Sequence, residues 1–183
     1  MSPQIQLMKG AIFLFALVFT TLIINSVSAE PSGNLVGYYQ LENGTDSSGY
    51  NNHGTVNGNP TFVPGVVGNA MYFDGTDDYI VVSHSEELGM TEFTVMGWVK
   101  TDSFKYIFSK DGLLAKDSNY RGVVEINGRL NFYVGNGNTY NNCLSRAIIH
   151  DGNFHHFALA VSDSSDTTTI YVDGKTNKIC YLA

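Results

Sequence analysis

The sequence predicts an all-β protein, a two-layer sandwich of antiparallel sheets. Three observations carry this. After residue 30 the chain breaks into short apolar runs rich in Val, Ile, Tyr, Phe and Thr, a length that suits strands and is too short for helices. Clusters of Gly, Asn, Asp and Ser separate the runs, at the close spacing of a sandwich or barrel. No segment after residue 30 sustains apolar residues at i, i+3, i+4 and i+7, the pattern a surface helix needs.

The expected strands, in order, are 35–41, 53–56, 70–73, 79–82, 93–100, 106–109, 121–126, 129–134, 155–161, 168–172 and 178–182. Asp74-Gly75-Thr76-Asp77 reads as the turn between the third and fourth, because Asp and Gly accept the backbone angles a tight turn imposes. In the run 93–100, Phe93, Val95, Gly97 and Val99 share one face while Thr94, Met96, Trp98 and Lys100 share the other. Large groups on both faces predict a central strand covered in part on each side. Asn127-Gly128 between two apolar runs predicts a two-residue hairpin with a type I′ turn. Asp173-Gly174 follows Thr-Ile-Tyr-Val in the same style. In 155–161, His155, Phe157, Leu159 and Val161 oppose His156, Ala158 and Ala160. The polar stretch 162–169 is a loop within one domain, and no internal repeat divides the chain.

The first thirty residues differ. Lys9 precedes fourteen uncharged residues, 11–24, and then Val27-Ser28-Ala29. A positive residue, a short apolar stretch and a small-x-small ending describe a secretory leader, expected to be cleaved after Ala29. The alternative is an uncleaved N-terminal membrane anchor, although a span needs about 20 apolar residues. Residues 1–29 are therefore the expected signal peptide and 30–183 the domain, with no membrane span after cleavage and a secreted or cell-surface location.

Charge excludes further classes. Only 15% of residues are charged, and 17 acidic against 10 basic residues leave a net −7. That balance cannot replace phosphate counterions along a nucleic acid. There is no Cys/His cluster and no phosphate-cradling Gly motif. Cys143 and Cys180 are the two cysteines, and an even number in an oxidising compartment predicts an intramolecular bridge. Two free thiols or an intermolecular pair are the alternatives.

The ordered segments carry a resemblance. Leu35-Val36-Gly37-Tyr38-Tyr39-Gln40-Leu41 is followed by Asp46-Ser47-Ser48-Gly49-Tyr50-Asn51-Asn52-His53-Gly54. Gly68-Asn69-Ala70-Met71-Tyr72-Phe73-Asp74-Gly75, Asp78-Tyr79-Ile80 and Phe93-Thr94-Val95-Met96-Gly97-Trp98-Val99-Lys100 come next. Phe154-His155-His156-Phe157-Ala158-Leu159 and Ile170-Tyr171-Val172-Asp173-Gly174-Lys175 end the series. Together, over 35–175, they resemble laminin-G-like jelly-roll domains of the concanavalin A-like lectin/glucanase superfamily. The resemblance implies an antiparallel jelly roll and an extracellular binding or adhesion role, with many sugar binders among the relatives. Tyr38-Tyr39 and Phe154 stand where such domains usually carry Trp. The chain ends before the Phe-x-Gly-x-Ile-Asp segment that usually follows, so the expected jelly roll is short of its final strands.

The residues bear on three chemistries. The superfamily's glucanases need two carboxylates about 5 Å apart on one strand face. Glu125 is followed two residues on by Asn127, and Glu86-Glu87 by Leu88-Gly89, so the Glu-x-Asp-x-x-Glu pattern is missing. His155 and His156, adjacent on a strand, point to opposite faces. The expectation is a non-catalytic protein. For metal, Asp74, Asp77 and Asp78 on one tight turn, with Asp46 in a Gly/Ser turn, offer the hard oxygens that suit Ca²⁺; the competing reading is ordinary turn chemistry. For a ligand, Tyr50 and Asn52 in one loop and Asn138, Tyr140 and Asn141 in another supply rings for stacking and amides for hydrogen bonds. The expected partner is a glycan or an extracellular protein. The alternatives are a purely structural module or fragment of a larger surface protein, or a degenerate glycoside hydrolase-like domain. Asn43-Gly44-Thr45 is an N-glycosylation sequon.

Overall fold

A computed structural model describes residues 4–8, 11–14, 35–110, 119–135, 140–162 and 164–181. The strands are β1 (Gln4–Met8), β2 (Ala11–Leu14), β3 (Gly54–Asn57), β4 (Thr61–Pro64), β5 (Asn69–Asp74), β6 (Tyr79–Ser83) and β7 (Phe93–Lys100). They continue with β8 (Lys105–Lys110), β9 (Asn119–Val124), β10 (Arg129–Gly135), β11 (Tyr140–Ile148), β12 (Phe154–Ser162), β13 (Thr167–Val172) and β14 (Lys175–Tyr181). A 3-10 turn, Glu86–Leu88, precedes β7. One sheet has the order β11-β10-β9-β8-β1-β6-β3, a second β14-β13-β12-β7 and a third β2-β5-β4, with β2 running beside β7. Among the described residues the ladders are all antiparallel, as a jelly-roll sandwich requires.

Alternation builds the core. β7 buries Phe93, Val95 and Val99 and leaves Thr94, Met96, Trp98 and Lys100 half-buried. Its neighbour β12 buries Phe157, Leu159 and Val161, with Phe157 opposite Gly97. From the facing sheet, Ile80, Val82, Ile107, Phe108, Leu130 and Phe132 complete the apolar centre. The Phe108 and Phe157 rings stack with centroids 6.1 Å apart. The Cys143–Cys180 bridge is formed and ties β11 to β14. Each lies at the edge of its own sheet, so the bridge joins the two layers.

Several elements differ from expectation. The run 35–41 is irregular apart from the bridge between Tyr39 and Asp46. It contributes Leu35, Val36, Tyr39 and Leu41 to the interior without forming a ladder. Leu41 adopts φ 58°, a left-handed angle that breaks an extended strand. β4 and β11 were not anticipated, because Pro64 and the Asn-rich start of β11 read as loop. β7 ends its four-stranded sheet rather than lying at its centre.

The hairpin at Asn127-Gly128 exists, but its turn is not type I′. Gly128 has φ 77° while Asn127 does not adopt a positive φ. Gly128 N–H donates to the Glu125 carbonyl (2.8 Å) and Glu125 N–H to the Arg129 carbonyl (2.9 Å). That is the three-residue form, a turn closed by a glycine bulge. At Asp173-Gly174 both residues have positive φ, 51° and 73°, which is the two-residue type I′ pattern.

β1 and β2 fall inside the segment expected to be a leader. Gln4 to Met8 pairs with Ser83 to Tyr79 on one side, and Ile5 and Gln6 pair with Lys110 and Ser109 on the other. Ala11 to Leu14 pairs with Asp74 to Met71.

Candidate functional site

The loop 42–53 is organised by Asp46, which is 5% exposed. Its Oδ1 accepts the N–H groups of Tyr38 and Ser48, both at 2.8 Å. Its Oδ2 accepts the Ser48 hydroxyl at 2.8 Å and the Asn52 N–H at 2.9 Å. Burial pushes the carboxyl pKa up, and the bonds from Tyr38, Ser48 and Asn52 more than reverse this, leaving it below the usual range. Asp46 N–H in turn donates to His53 Nδ1 at 3.1 Å. With both oxygens occupied by protein donors, Asp46 acts as the hub of its loop and lies outside the acidic group described next.

That group is Asp74, Asp77 and Asp78, which can bring one carboxylate oxygen each within 4.8 Å of one another. Asp78 is buried: its Oδ1 accepts the Asn59 N–H (2.7 Å) and its Oδ2 the Asp74 N–H (3.1 Å). Asp74 Oδ1 accepts the Thr76 N–H at 2.7 Å. These bonds shape the turn, as Asp side chains commonly do. Asp74 and Asp77 are exposed. Three carboxylates this close could hold a metal ion.

The predicted ligand residues divide. Tyr50 is exposed. Asn52 is buried; its Nδ2 donates to the Val36 carbonyl at 2.8 Å, and its own carbonyl accepts the Tyr39 hydroxyl at 2.5 Å. It therefore fastens the irregular N-terminal segment to the loop and does not face solvent. Asn138 lies outside the described residues. Tyr140 begins β11 opposite Gly135, and Asn141 pairs with Val134.

The sequence reading passed over a set on the seven-stranded sheet. Arg121, Tyr133 and Asn142 come from three strands, and the registers of β9, β10 and β11 bring them to one face, which Asn131 shares by alternation two residues before Tyr133. Each by itself looks like an ordinary outward strand residue. Glu125 joins them by hydrogen bonds. A second cluster ends the other sheet. His155 Nδ1 lies 2.9 Å from Asp173 Oδ2 and its Nε2 lies 3.1 Å from Asp151 Oδ1. Burial pushes this ring down, and the two carboxylates more than reverse it, so its pKa is raised.

With the layers and these clusters defined, the class follows. The chain belongs to the concanavalin A-like lectin/glucanases superfamily: the family model Laminin_G_3 matches residues 74–178. Among solved structures, the chain is similar in fold to the binding domain of Paraclostridial Mosquitocidal Protein 1, with a TM-score of 0.64 and 13% identity. The likeness covers 93% of this chain and 40% of that one, so the chain spans less than half of that neighbour's length. No curated protein matches the chain. Among the described residues, no helix is long and apolar enough to cross a membrane.

Proposed function

We propose that the protein is an exported, non-catalytic recognition or adhesion module that binds a carbohydrate or a surface protein at the cell exterior. The observation that carries the reading is the sandwich itself, shared over 93% of the chain with a domain whose role is binding. Family membership adds to it, and so does the leader pattern at 1–29. Binding needs no moving parts here. Loops held rigid by hubs such as Asp46 present rings and amides at a fixed geometry, which limits the entropy lost on association.

In this reading the Asp74–Asp77–Asp78 turn holds Ca²⁺ through its carboxylates. The ion would neutralise that turn and offer coordination to ligand hydroxyls. Tyr50, and Asn138, Tyr140 and Asn141 of the second loop, supply contacts at the rim.

The test is a glycan array probed with the exported protein, with and without Ca²⁺, together with N-terminal sequencing. Binding to a defined glycan class and an N-terminus at Glu30 are expected. Silence on glycans and on extracellular matrix proteins alike would overturn the recognition role. A missing thermal shift or heat with Ca²⁺ would remove the metal.

A further inference from the structure

We infer that the β4–β5 hairpin is a lipid contact: its tip, Val66 and Val67 with Phe62 beside them, enters the interface of an uncharged bilayer. The inference is independent of the recognition reading, which concerns other loops and is tested on other probes.

Turn chemistry is the first observation. Pro64 pairs with Asn69, and Gly65 N–H donates to the Gly68 carbonyl at 3.0 Å. Val66 and Val67 are left as the two residues at the tip. Such positions favour Gly, Asn, Asp and Ser, which turn the chain through backbone freedom or their own hydrogen bonds. Valine contributes neither and is stiff at χ1. Both valines are exposed, Val67 to 67%, and Phe62 is 52% exposed on β4, the outer strand of its three-stranded sheet. Three large apolar groups within six residues face water, the condition that marks a contact surface.

Charge indicates what is contacted. Residues 54–73 hold no Asp, Glu, Lys, Arg or His, although the chain average of 15% charged would place three in such a stretch. Along the hairpin the first carboxylate is Asp74, at the opposite end of β5 from the tip. Five strand steps put it about 17 Å beyond Asn69. Interfacial segments seat their apolar groups roughly 5–10 Å into the headgroup boundary, so that carboxylate stays in water. Asn69, exposed at the base of the tip, offers an uncharged amide to the headgroups.

A protein partner would ask for more. Specific interfaces carry about one hydrogen bond per 100–200 Å² and seat their anchors in fitted pockets. A projecting pair of valines brings no side-chain donor or acceptor, whereas acyl chains accept apolar groups of any shape. The net −7 of the chain opposes anionic headgroups. The surface selected is therefore zwitterionic, as in phosphatidylcholine.

The experiment sediments the full chain with phosphatidylcholine vesicles, beside Val66→Asn/Val67→Asn, Ile126→Asn and Val67→Trp. Each variant carries the same apolar stretch 11–24, so differences between them report the substituted positions. The parent should bind, and bind less when phosphatidylserine is mixed in. The double variant should weaken partitioning by about tenfold or more, because each seated valine contributes separately. Asn suits a turn, so an unchanged melting temperature separates lost contact from lost fold. Ile126 is exposed at another turn, and Ile126→Asn should stay within about twofold of the parent. Val67→Trp should be quenched by brominated acyl chains beyond the parent, which has Trp98 alone; if the double variant unfolds, this gain decides. Glycan binding by the double variant should match the parent, so the two readings fail separately. No vesicle binding by the parent, or equal loss in the double variant and Ile126→Asn, would overturn the proposal. A dimer broken by the double variant, without vesicle binding, would overturn it in favour of a second copy. Tighter binding to anionic vesicles would overturn the choice of an uncharged surface.

Discussion

Cys143 and Cys180 are bonded across the sandwich with their Cα atoms 5.7 Å apart, fastening the edge strand of one sheet to the edge strand of the other. The bridge closes a separation of 37 residues, which in the chain-entropy treatment constrains the unfolded chain by about 4 kcal/mol. Reduction should therefore lower the unfolding free energy by about that amount, measured as urea titrations with and without dithiothreitol. A midpoint that does not move would show that the bridge constrains nothing the rest of the fold does not already hold.

Asp46 is the second lever. Asp46→Ala removes the acceptor for three backbone N–H groups and one hydroxyl. Stranded buried donors cost about 1–3 kcal/mol each, so the variant should lose about 3 kcal/mol after the loop relaxes. The carboxyl pKa is depressed in the folded state. Its contribution is thus complete above about 3.9, the unfolded value, and is lost as pH falls through the lower folded value. Asp46→Asn should flatten that acid limb in denaturation curves taken between pH 2 and 6.

His155 works in the opposite direction. Its folded pKa is raised by Asp173 and Asp151 against the effect of burial. The stability it contributes is complete below about 6.5, the unfolded value, and is lost as pH rises through the higher folded value. Its neighbour His156, packed edge-on against Trp98 at 5.3 Å, has a pKa lowered by burial. That contribution is present above about 6.5 and lost as pH falls. The two oppose each other in the parent, so the difference between parent and His155→Gln melts, pH 5 to 9, isolates His155. A difference that is flat across that range would sink the assignment.

Gly128 tests the turn. Its φ is 77°, and a Cβ there would collide with the His150 ring. Gly152 has φ 78° with open space around it. Left-handed backbone alone costs a non-glycine residue about 1–2 kcal/mol. Gly152→Ala should lose about that much, whereas Gly128→Ala should lose clearly more. Equal melting temperatures for the two variants would mean that His150 swings aside freely.

The sandwich was legible because period-two patterning is strong where one face is buried. β7 and β13 alternate cleanly; β12 buries Phe157, Leu159 and Val161 as the pattern marks, but also Ala158 from the opposite face, while His155 is only half-buried. The pattern misled at 35–41, where apolar side chains are buried by a non-repetitive segment pinned through Asp46 and Asn52. Composition suggested Asn52 as a ligand contact, yet an Asn can satisfy itself internally, and here it does. The face around Tyr133 escaped notice for a different reason. Its members come from separate strands and depend on register, including the bulge between Arg129 and Asn131, which no local signal announces.

The placement of Gln4–Met8 reaches furthest. That ribbon is the keystone between β6 and β8. Proteolytic maturation at Ala29 would remove it and part the long sheet into β11-β10-β9-β8 and β6-β3, baring two rows of backbone amides and carbonyls. The long sheet of the sandwich thus depends on that ribbon for its continuity, since a single strand fills the place between β6 and β8.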